Sequence, residues 1–465
     1  MLQILNKEVI SNEEVLCFSL KANLFSTEPF FSTYYIWTLS YKQTYLEENK
    51  MQKYLQRTLF ASIAIAALTC TFLTTTKAYV TNTDKVVYAL RHPYPDLRLV
   101  AAHRGLWGVA NKAAHDAPEN SIRAVQNAAD EGVEMAEIDL KEMQDGTVIL
   151  MHDWNLGRTT EISLYCTDIT GGQGADCFNN ILFDPYKLFG WNPPVNSISW
   201  DTLVKYNVPL RGQDFITAPF DHPPTLDQVL QAVCTSKPIV LLLDIKDAKT
   251  AKDAWQIVKK YTNSYGTPAY KWVIFKLNAT IYPDPTTLED DLGLRECKIV
   301  RGKPYYCWPT EDYGHFLFIP VFQSNMVTQI NCIDTYNSYK DKSYTVAAEV
   351  NLKDVNGRNT DVYNAINNKG TAAMIFHAVP DAIQMPPQPP GEGYYFKNTG
   401  AGTYQLKDLL QPPVQGQPDE TQDRRWDINF ILGLNFTSIT TDDSLGVVDE
   451  LNKRGWRNMS HIQNP

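Results

Sequence analysis

The sequence predicts an α/β fold, a TIM (β/α)8 barrel with long loop insertions, on two observations. Short apolar runs that are typical of strands alternate with helical patterns from residue 97 almost to the C terminus. Repeated strand–helix units imply a parallel sheet, and about eight strands over roughly 370 residues suit a closed barrel better than an open sheet. A doubly wound open sheet is the alternative.

The first predicted elements are a strand at 97–105, a helix at 119–132 and a hairpin at 135–153. The hairpin alternates around an Asp145-Gly146 turn. The run IVLLLDIK at 239–246 is nearly all apolar, as a strand buried on both faces should be. The alternation continues with a helix at 250–263, strands at 271–278 and 316–323, a helix at 325–337, and strands at 345–353, 371–379 and 436–443.

Three stretches are too long for ordinary barrel loops, namely 154–238, 279–315 and 380–425. We expect them to be insertions that form a lid or cap over the barrel mouth. Neither an internal repeat nor a second compact domain is visible. Residues 79–465 are therefore predicted to form a single barrel domain.

The N-terminal segment 51–78 is typical of a secretory signal peptide. Lys53 and Arg57 precede an apolar run at 59–73, which is too short to span a bilayer as a helix. Thr76 and Ala78 then supply the small side chains expected before a cleavage site. We expect an exported protein, periplasmic or secreted.

Fifty residues precede this predicted signal peptide. One hypothesis is that translation starts at Met51 and that residues 1–50 are an artefact of start-site assignment. The alternative is a real extension, with the apolar run serving as a membrane anchor.

The net charge of −10 argues against a nucleic-acid-binding protein, which needs a basic surface. Six of the eight cysteines lie beyond residue 79, and an even number in an exported protein suggests disulfides. We predict the pairs Cys166–Cys177 and Cys297–Cys307. Cys234 and Cys332 lie in apolar helical patterns that indicate buried thiols.

Acidic residues lie at matching depth on two predicted strands. Glu137 and Asp139 are two apart on one strand face, and Asp244 follows on another strand. Buried like charges are costly unless a positive partner lies between them. These three side chains are therefore predicted to bind one divalent cation, Mg²⁺ or Ca²⁺. Zinc is disfavoured because no cysteine or paired-histidine ligand set is present.

Basic residues end two of the predicted strands, Arg104 the strand at 97–105 and Lys246 the strand at 239–246. Arg104 and Lys246, beside the cation, are predicted to form a pocket for an anion such as phosphate. His103 and His152 are predicted to share acid and base roles near neutral pH. Other polar residues on the predicted strands are Lys276, Glu349, His377, Asp442 and Asp443, and the pattern favours structural roles for Glu349 and His377.

These motifs closely resemble the glycerophosphodiester phosphodiesterase family. The ordered matches are AHRG at 102–105, APENS at 117–121, EIDLKEMQDGTVILMHD at 137–153 and RTT at 158–160. LLLDIK at 241–246 resembles the family's acidic-x-Lys strand, with aspartate for the usual glutamate. SITTDD at 438–443 resembles its closing strand without the proline. The match is dense over 97–160 and sparse thereafter.

The resemblance implies a TIM barrel and metal-assisted hydrolysis of a glycerophosphodiester to sn-glycerol 3-phosphate and an alcohol. It also implies an attack by the glycerol 2-hydroxyl. The implied roles are metal binding by Glu137, Asp139 and Asp244, acid/base catalysis by His103 and His152, phosphate binding by Arg104 and Lys246, and lining of the site by Glu119 and Asn120. Helix capping is the alternative for Asn120. Two features depart from the family pattern, the longer spacing between HRG and PEN and the length of 154–238, and both concern the substrate pocket rather than the catalytic residues.

A phospholipase D of the sphingomyelinase type, acting on lysophospholipids or sphingomyelin, is the alternative function. It resembles this family in barrel and histidine pair, and it carries a disulfide after its second histidine, as Cys166–Cys177 would follow His152. Asp244 also matches that class, whereas the HRG and PEN motifs argue against it. We expect membrane contact only under this alternative. A non-catalytic binding protein is disfavoured because both histidines, the three acids and the Arg/Lys pair are all present.

Overall fold

The structure, a computed structural model, describes one compact unit within Tyr79–Pro465. The described residues are 82–108, 117–172, 177, 180–184, 189–211, 220–300, 303–379, 382–383, 394–398, 402–405 and 423–463. The predicted signal peptide and residues 1–50 lie outside them. None of the described helices combines the length and the apolar character that crossing a membrane requires.

Eight parallel strands form a closed barrel, which confirms the predicted fold class. In chain order the strands of the main sheet are β1 (Leu99–His103), β2 (Met135–Glu142), its hairpin partner β3 (Val148–Leu150), β4 (Val240–Ile245) and β5 (Val273–Asn278). After a separate hairpin, β6 (Arg295–Val300) and β7 (Lys303–Pro309), the barrel continues with β8 (Phe318–Phe322), β9 (Ala348–Val350), β10 (Ala373–His377) and, later, β14 (Ser438–Thr441).

The barrel closes where the first two strands pair with each other. The order runs β1-β14-β10-β9-β8-β5-β4-β2, and β2 then pairs in parallel with β1. An open sheet would have two edge strands that do not pair with each other, so the doubly wound alternative is wrong. The interior and the surrounding layer are filled by one large apolar cluster that includes Val240, Leu242 and Ile274.

Helices follow most of the barrel strands and cover them from outside. Their bounds are α1 Thr83–Arg91, α2 Ile122–Asp130, α3 Cys166–Thr170, α4 Trp200–Tyr206, α5 Leu226–Cys234, α6 Ala248–Val258, α7 Pro285–Asp291, α8 Cys332–Tyr339, α9 Thr360–Asn368, α10 Ile428–Leu432 and α11 Ser444–Lys453. The predicted helix at 325–337 divides instead into a 3-10 turn, Ser324–Thr328, and α8. The division falls where Asn331 caps α8 with its side chain.

The insertions lie at both ends of the barrel. The stretch 154–238 follows the β2–β3 hairpin at the C-terminal end, and its described part packs a small apolar core of its own around Leu156 and Val195. The stretch 380–425 follows β10 and contains the three-stranded sheet of β11 (Ala382–Ile383), β12 (Tyr394–Asn398) and β13 (Gly402–Gln405). The β6–β7 hairpin precedes a barrel strand, so it emerges at the N-terminal ends. The predicted lid over the mouth is therefore wrong for this hairpin.

Both predicted disulfides, Cys166–Cys177 and Cys297–Cys307, are present. Cys297 and Cys307 face each other across the β6–β7 hairpin. Cys234 and Cys332 are free and buried, as predicted.

Candidate active site

Three carboxylates meet inside the C-terminal half of the barrel. Asp139 on β2 and Asp244 on β4 are register partners on neighbouring strands, and Glu137 lies one inward-facing position earlier. One oxygen from each side chain lies within 4.8 Å of the others. Glu137 and Asp139 are almost fully buried.

Asp244 is the carboxylate of this cluster that lacks a hydrogen-bond partner for one of its oxygens among the described residues. Its Oδ1 atom is buried and has no hydrogen-bond partner among the described residues. Burial raises the pKa of Asp244, and the nearby carboxylates of Glu137 and Asp139 add to this effect. Burial would likewise raise the pKa of Asp139, but Lys246 and other cationic neighbours hold it well below its usual range. An orphaned buried oxygen beside two further carboxylates is a donor set that fits a hard divalent cation.

Two lysines lie on either side of the carboxylate cluster. Lys246 Nζ is 2.8 Å from Asp139 Oδ1 and 3.9 Å from Asp244 Oδ2. Lys276 Nζ lies between Glu137, at 3.4 Å, and Glu349, at 2.9 Å. The sequence pattern assigned no role to Lys276 and favoured a structural one for Glu349. A lysine within the apolar run VIFKLN was the available signal, because alternation turns it inward.

Each histidine is held by an aspartate. His103 Nδ1 lies 2.8 Å from Asp442 Oδ1, and His152 Nδ1 lies 2.8 Å from Asp153 Oδ1. Burial lowers the pKa of His152 to about 4, with Arg104 and Lys246 acting in the same direction. Burial also opposes protonation of His103, but Asp442 and Glu137 outweigh it and raise its pKa. Protonation is therefore favoured at the His103 imidazole and opposed at the His152 imidazole.

The HRG turn brings Arg104 over the acids. Arg104 has a positive φ of 59°, and its backbone N–H donates to Glu137 Oε2 at 3.2 Å. Its side chain reaches Glu119 Oε1 at 3.1 Å and approaches Asp139 Oδ2 at 3.6 Å. Gly105, with φ 79°, packs so closely on α2 that a Cβ would lie 2.8 Å from Ala124. Only glycine fits this turn without strain.

Asn120 does not cap helix α2, so the capping alternative for it is wrong. Ser121 is the N-cap, and its side chain accepts from the Ala124 N–H. The Asn120 side chain instead forms two bonds with Asp139, accepting from its N–H at 2.9 Å and donating to Oδ2 at 3.1 Å. Its positive φ of 55° is a second strained position at this site.

Arg158 connects the PEN motif to the HD motif through ion pairs with a carboxylate of each. It donates to Glu119 at 2.6 and 3.0 Å and to Asp153 at 2.6 Å. Arg104 and Arg158 outweigh the effect of burial and hold the pKa of Glu119 below its usual range. Arg158 begins the RTT motif, and Asp153 ends the HD motif, but neither had a role from sequence.

The structure thus brings together all nine residues that the sequence singles out. They are His103, Arg104, Glu119, Asn120, Glu137, Asp139, His152, Asp244 and Lys246. It adds Asp153, Arg158, Lys276, Glu349 and Asp442 to the same network. His377, by contrast, is buried and contacts the Thr441 hydroxyl.

Residues 103–281 match the sequence model of the Glycerophosphoryl diester phosphodiesterase family. Glycerophosphodiester phosphodiesterase 1 of Bos taurus is 31% identical over 185 residues, which cover 38% of this chain and 45% of that protein. The Homo sapiens protein of the same name is 29% identical over 229 residues, or 47% of this chain and 55% of that one. The chain therefore spans about half the length of these relatives.

Solved structures of similar proteins include a glycerophosphoryl diester phosphodiesterase from Parabacteroides distasonis. It is 17% identical, with a TM-score of 0.45, and the match covers 81% of this chain and 93% of that one. An Oleispira antarctica phosphodiesterase, solved in complex with sn-glycerol-3-phosphate, is 12% identical with a TM-score of 0.43, over 79% and 99% of the two chains. Over residues 103–281 the chain is therefore similar in sequence to the Glycerophosphoryl diester phosphodiesterase family.

Proposed function

We propose that this protein is a divalent-cation-dependent phosphodiesterase that hydrolyses glycerophosphodiesters to sn-glycerol 3-phosphate and an alcohol. The observation that carries the proposal is the meeting of three carboxylates, two histidines and two cationic side chains at one end of the barrel. The match of residues 103–281 to the family model, and similarity to relatives named glycerophosphodiester phosphodiesterase, support it.

Glu137, Asp139 and Asp244 would hold the cation, which we propose to be Mg²⁺ or Ca²⁺. The orphaned Oδ1 of Asp244 supports this assignment, because a buried carboxylate oxygen without a partner is costly unless a ligand satisfies it. When bound, such a cation neutralises the acids and stabilises the added charge of the transition state.

His103 and His152 would be the acid/base pair. An aspartate at each Nδ1 orients the ring and leaves Nε2 for proton transfer. One imidazole would remove the proton of the attacking hydroxyl, and the other would protonate the leaving alcohol. An attack by the substrate's own glycerol 2-hydroxyl would gain from a high effective concentration.

Arg104 and Lys246 would hold the phosphate. Both reach Asp139 from different elements, so an anion that contacts both cations would lie directly beside the carboxylates. Glu119 fixes the Arg104 guanidinium, and Asn120 fixes Asp139, so these two residues would line and brace the pocket.

The test is a substrate comparison on purified, metal-stripped protein to which Mg²⁺ or Ca²⁺ is returned. Glycerophosphocholine and glycerophosphoethanolamine are offered in one set of reactions, and sphingomyelin and lysophosphatidylcholine in another. Cation-dependent release of glycerol 3-phosphate is the expected result. Absence of turnover in both sets would overturn the proposal.

A phospholipase D of the sphingomyelinase type remains the second candidate. The Cys166–Cys177 disulfide, which follows His152 and Asp153, favours it, as does the aspartate at position 244. Choline release from the lipids alone, with no product from glycerophosphodiesters, would select this function. Contact with a membrane surface would then be required.

We also infer that the protein is exported to an oxidising compartment. The two disulfides support this, since such bonds persist outside the reducing cytosol. N-terminal sequencing of the native protein tests the proposed signal peptide and the status of residues 1–50. A terminus at Tyr79 is expected, and a terminus near Met1 would contradict cleavage.

A further inference from the structure

Lys276 lies across the barrel interior between two acidic side chains that belong to different strands. Its Nζ is 3.4 Å from Glu137 Oε1 and 2.9 Å from Glu349 Oε2. All three residues are at most 3% exposed, so the ammonium has no contact with bulk water. Glu349 Oε2 also accepts from the Thr440 hydroxyl at 3.4 Å. Lys276 thus covers the side of Glu137 that faces Glu349.

Among the ion-paired side chains around the cluster, acids outnumber cations. Setting aside the histidines and the Asp442 that pairs with one of them, six carboxylates face four cationic side chains, which leaves two negative charges. The carboxylates are Glu119, Glu137, Asp139, Asp153, Asp244 and Glu349, and the cations are Arg104, Arg158, Lys246 and Lys276. Nearby Lys141 forms no ion pair with them among the described residues, and its ammonium packs on the Trp154 ring at 4.5 Å.

We propose that Lys276 takes the position of a second metal ion and thereby limits the site to one divalent cation. Two carboxylates that face each other across a buried gap are a typical place for a bridging or second ion in carboxylate sites. Here the gap between Glu137 and Glu349 is already filled by an ammonium. Lys276 is therefore a positioning residue, and this inference rests on the proposed cation site.

The test counts bound ions in Lys276→Met, which keeps the length of the side chain and removes its charge. Mn²⁺ is the probe, because carboxylate sites bind it readily and its magnetic signal reports neighbours. Equilibrium dialysis should find one ion in the wild type and two in the variant. Two adjacent ions should also broaden the Mn²⁺ resonance, which a purely structural lysine would not cause.

The matched control is the double variant Lys276→Met with Glu349→Gln. It removes the ammonium together with one of the two carboxylates, so the second site disappears and one bound ion is expected. A folded Lys276→Met variant that binds one ion with unchanged affinity would overturn the inference. A wild type that binds no ion would instead overturn the proposed cation site itself, so the two failures are distinguishable.

Glu349→Gln alone tests the same idea if Lys276→Met does not fold. Lys276 then loses one of its two ion pairs and keeps the one with Glu137, so it competes more strongly with the cation for that carboxylate. We expect Mn²⁺ affinity to fall about 10- to 100-fold, the range typical for residues that orient metal ligands. Unchanged affinity in this folded variant would contradict the proposal.

Discussion

Buried charge occurs at both ends of this barrel, but only at one end is it fully matched. At the N-terminal end, Glu134 lies just before β2 and is fully buried. Its two oxygens accept from Arg457 at 2.6 and 2.7 Å, and Oε2 also accepts from the Val100 N–H at 2.9 Å. At the C-terminal end of the same strand, Asp139 and Glu137 share two lysines with further acids, and Asp244 Oδ1 has no hydrogen-bond partner in the part of the chain that the structure describes.

The difference separates a structural ion pair from a binding site. Glu134 and Arg457 satisfy each other, and they tie the C-terminal segment to the first two strands. Breaking such a pair leaves an uncompensated buried charge. At the other end the acids outnumber the cationic side chains that form ion pairs with them, which leaves negative charge that a bound cation would neutralise. Variants at the two ends should therefore separate stability from turnover.

The largest effect is expected for the histidines at the C-terminal end. His103→Ala or His152→Ala should lower the turnover of glycerophosphocholine by about 10²–10⁴, because each removes an acid or base. Circular dichroism should report an unchanged fold. Retention of more than about a tenth of the wild-type rate would refute the assignment.

At the N-terminal end the expected loss is one of stability. Arg457→Met should lower the free energy of unfolding by about 3–5 kcal/mol, since Glu134 is left charged and buried. Urea denaturation measures this change. Turnover per folded molecule should stay at the wild-type level, and a specific loss of turnover would break the contrast between the two ends.

Asp244→Asn should affect stability in the opposite way to Arg457→Met. Without cation the variant should be at least as stable as the wild type, because it removes a buried charge that repels Glu137 and Asp139. With cation at a hundred times its dissociation constant, the wild type should gain about 2.7 kcal/mol. The variant should show almost none of this stabilisation by the cation. Thermal unfolding with and without Mg²⁺ or Ca²⁺ measures the difference.

The smallest of these effects is expected for Asp442→Asn. It keeps the His103 imidazole but removes the carboxylate that orients it, so turnover should fall by about tenfold to a hundredfold, less than for the histidine itself. The control is Asp443→Asn, next in sequence, whose side chain caps α11 by accepting from the Gly446 N–H. The control should retain turnover, and an equal loss in both variants would argue against an orienting role.

Much of the fold was predictable because its signals are local. Apolar runs, the Asp145-Gly146 turn and helix patterns depend on neighbours along the chain, and they located all eight barrel strands. The HRG, PEN, ExD and HD motifs, together with the acidic-x-Lys strand at 241–246, likewise identified nine residues that the structure brings together. The two cysteine pairs were predictable because their members are close in sequence.

Only the tertiary structure decided the contacts between strands that are far apart in sequence. Lys276 meets Glu137 and Glu349 only because barrel closure and register turn β2, β5 and β9 toward one interior. The β6–β7 hairpin lies away from the mouth because helix α7 separates it from β5 and it comes directly before β8. Charge balance is a property of the packed interior, since burial decides which acids need a partner. The sequence alone therefore determined the strands and the residue types of the site, and only the closed barrel decided which charges are matched.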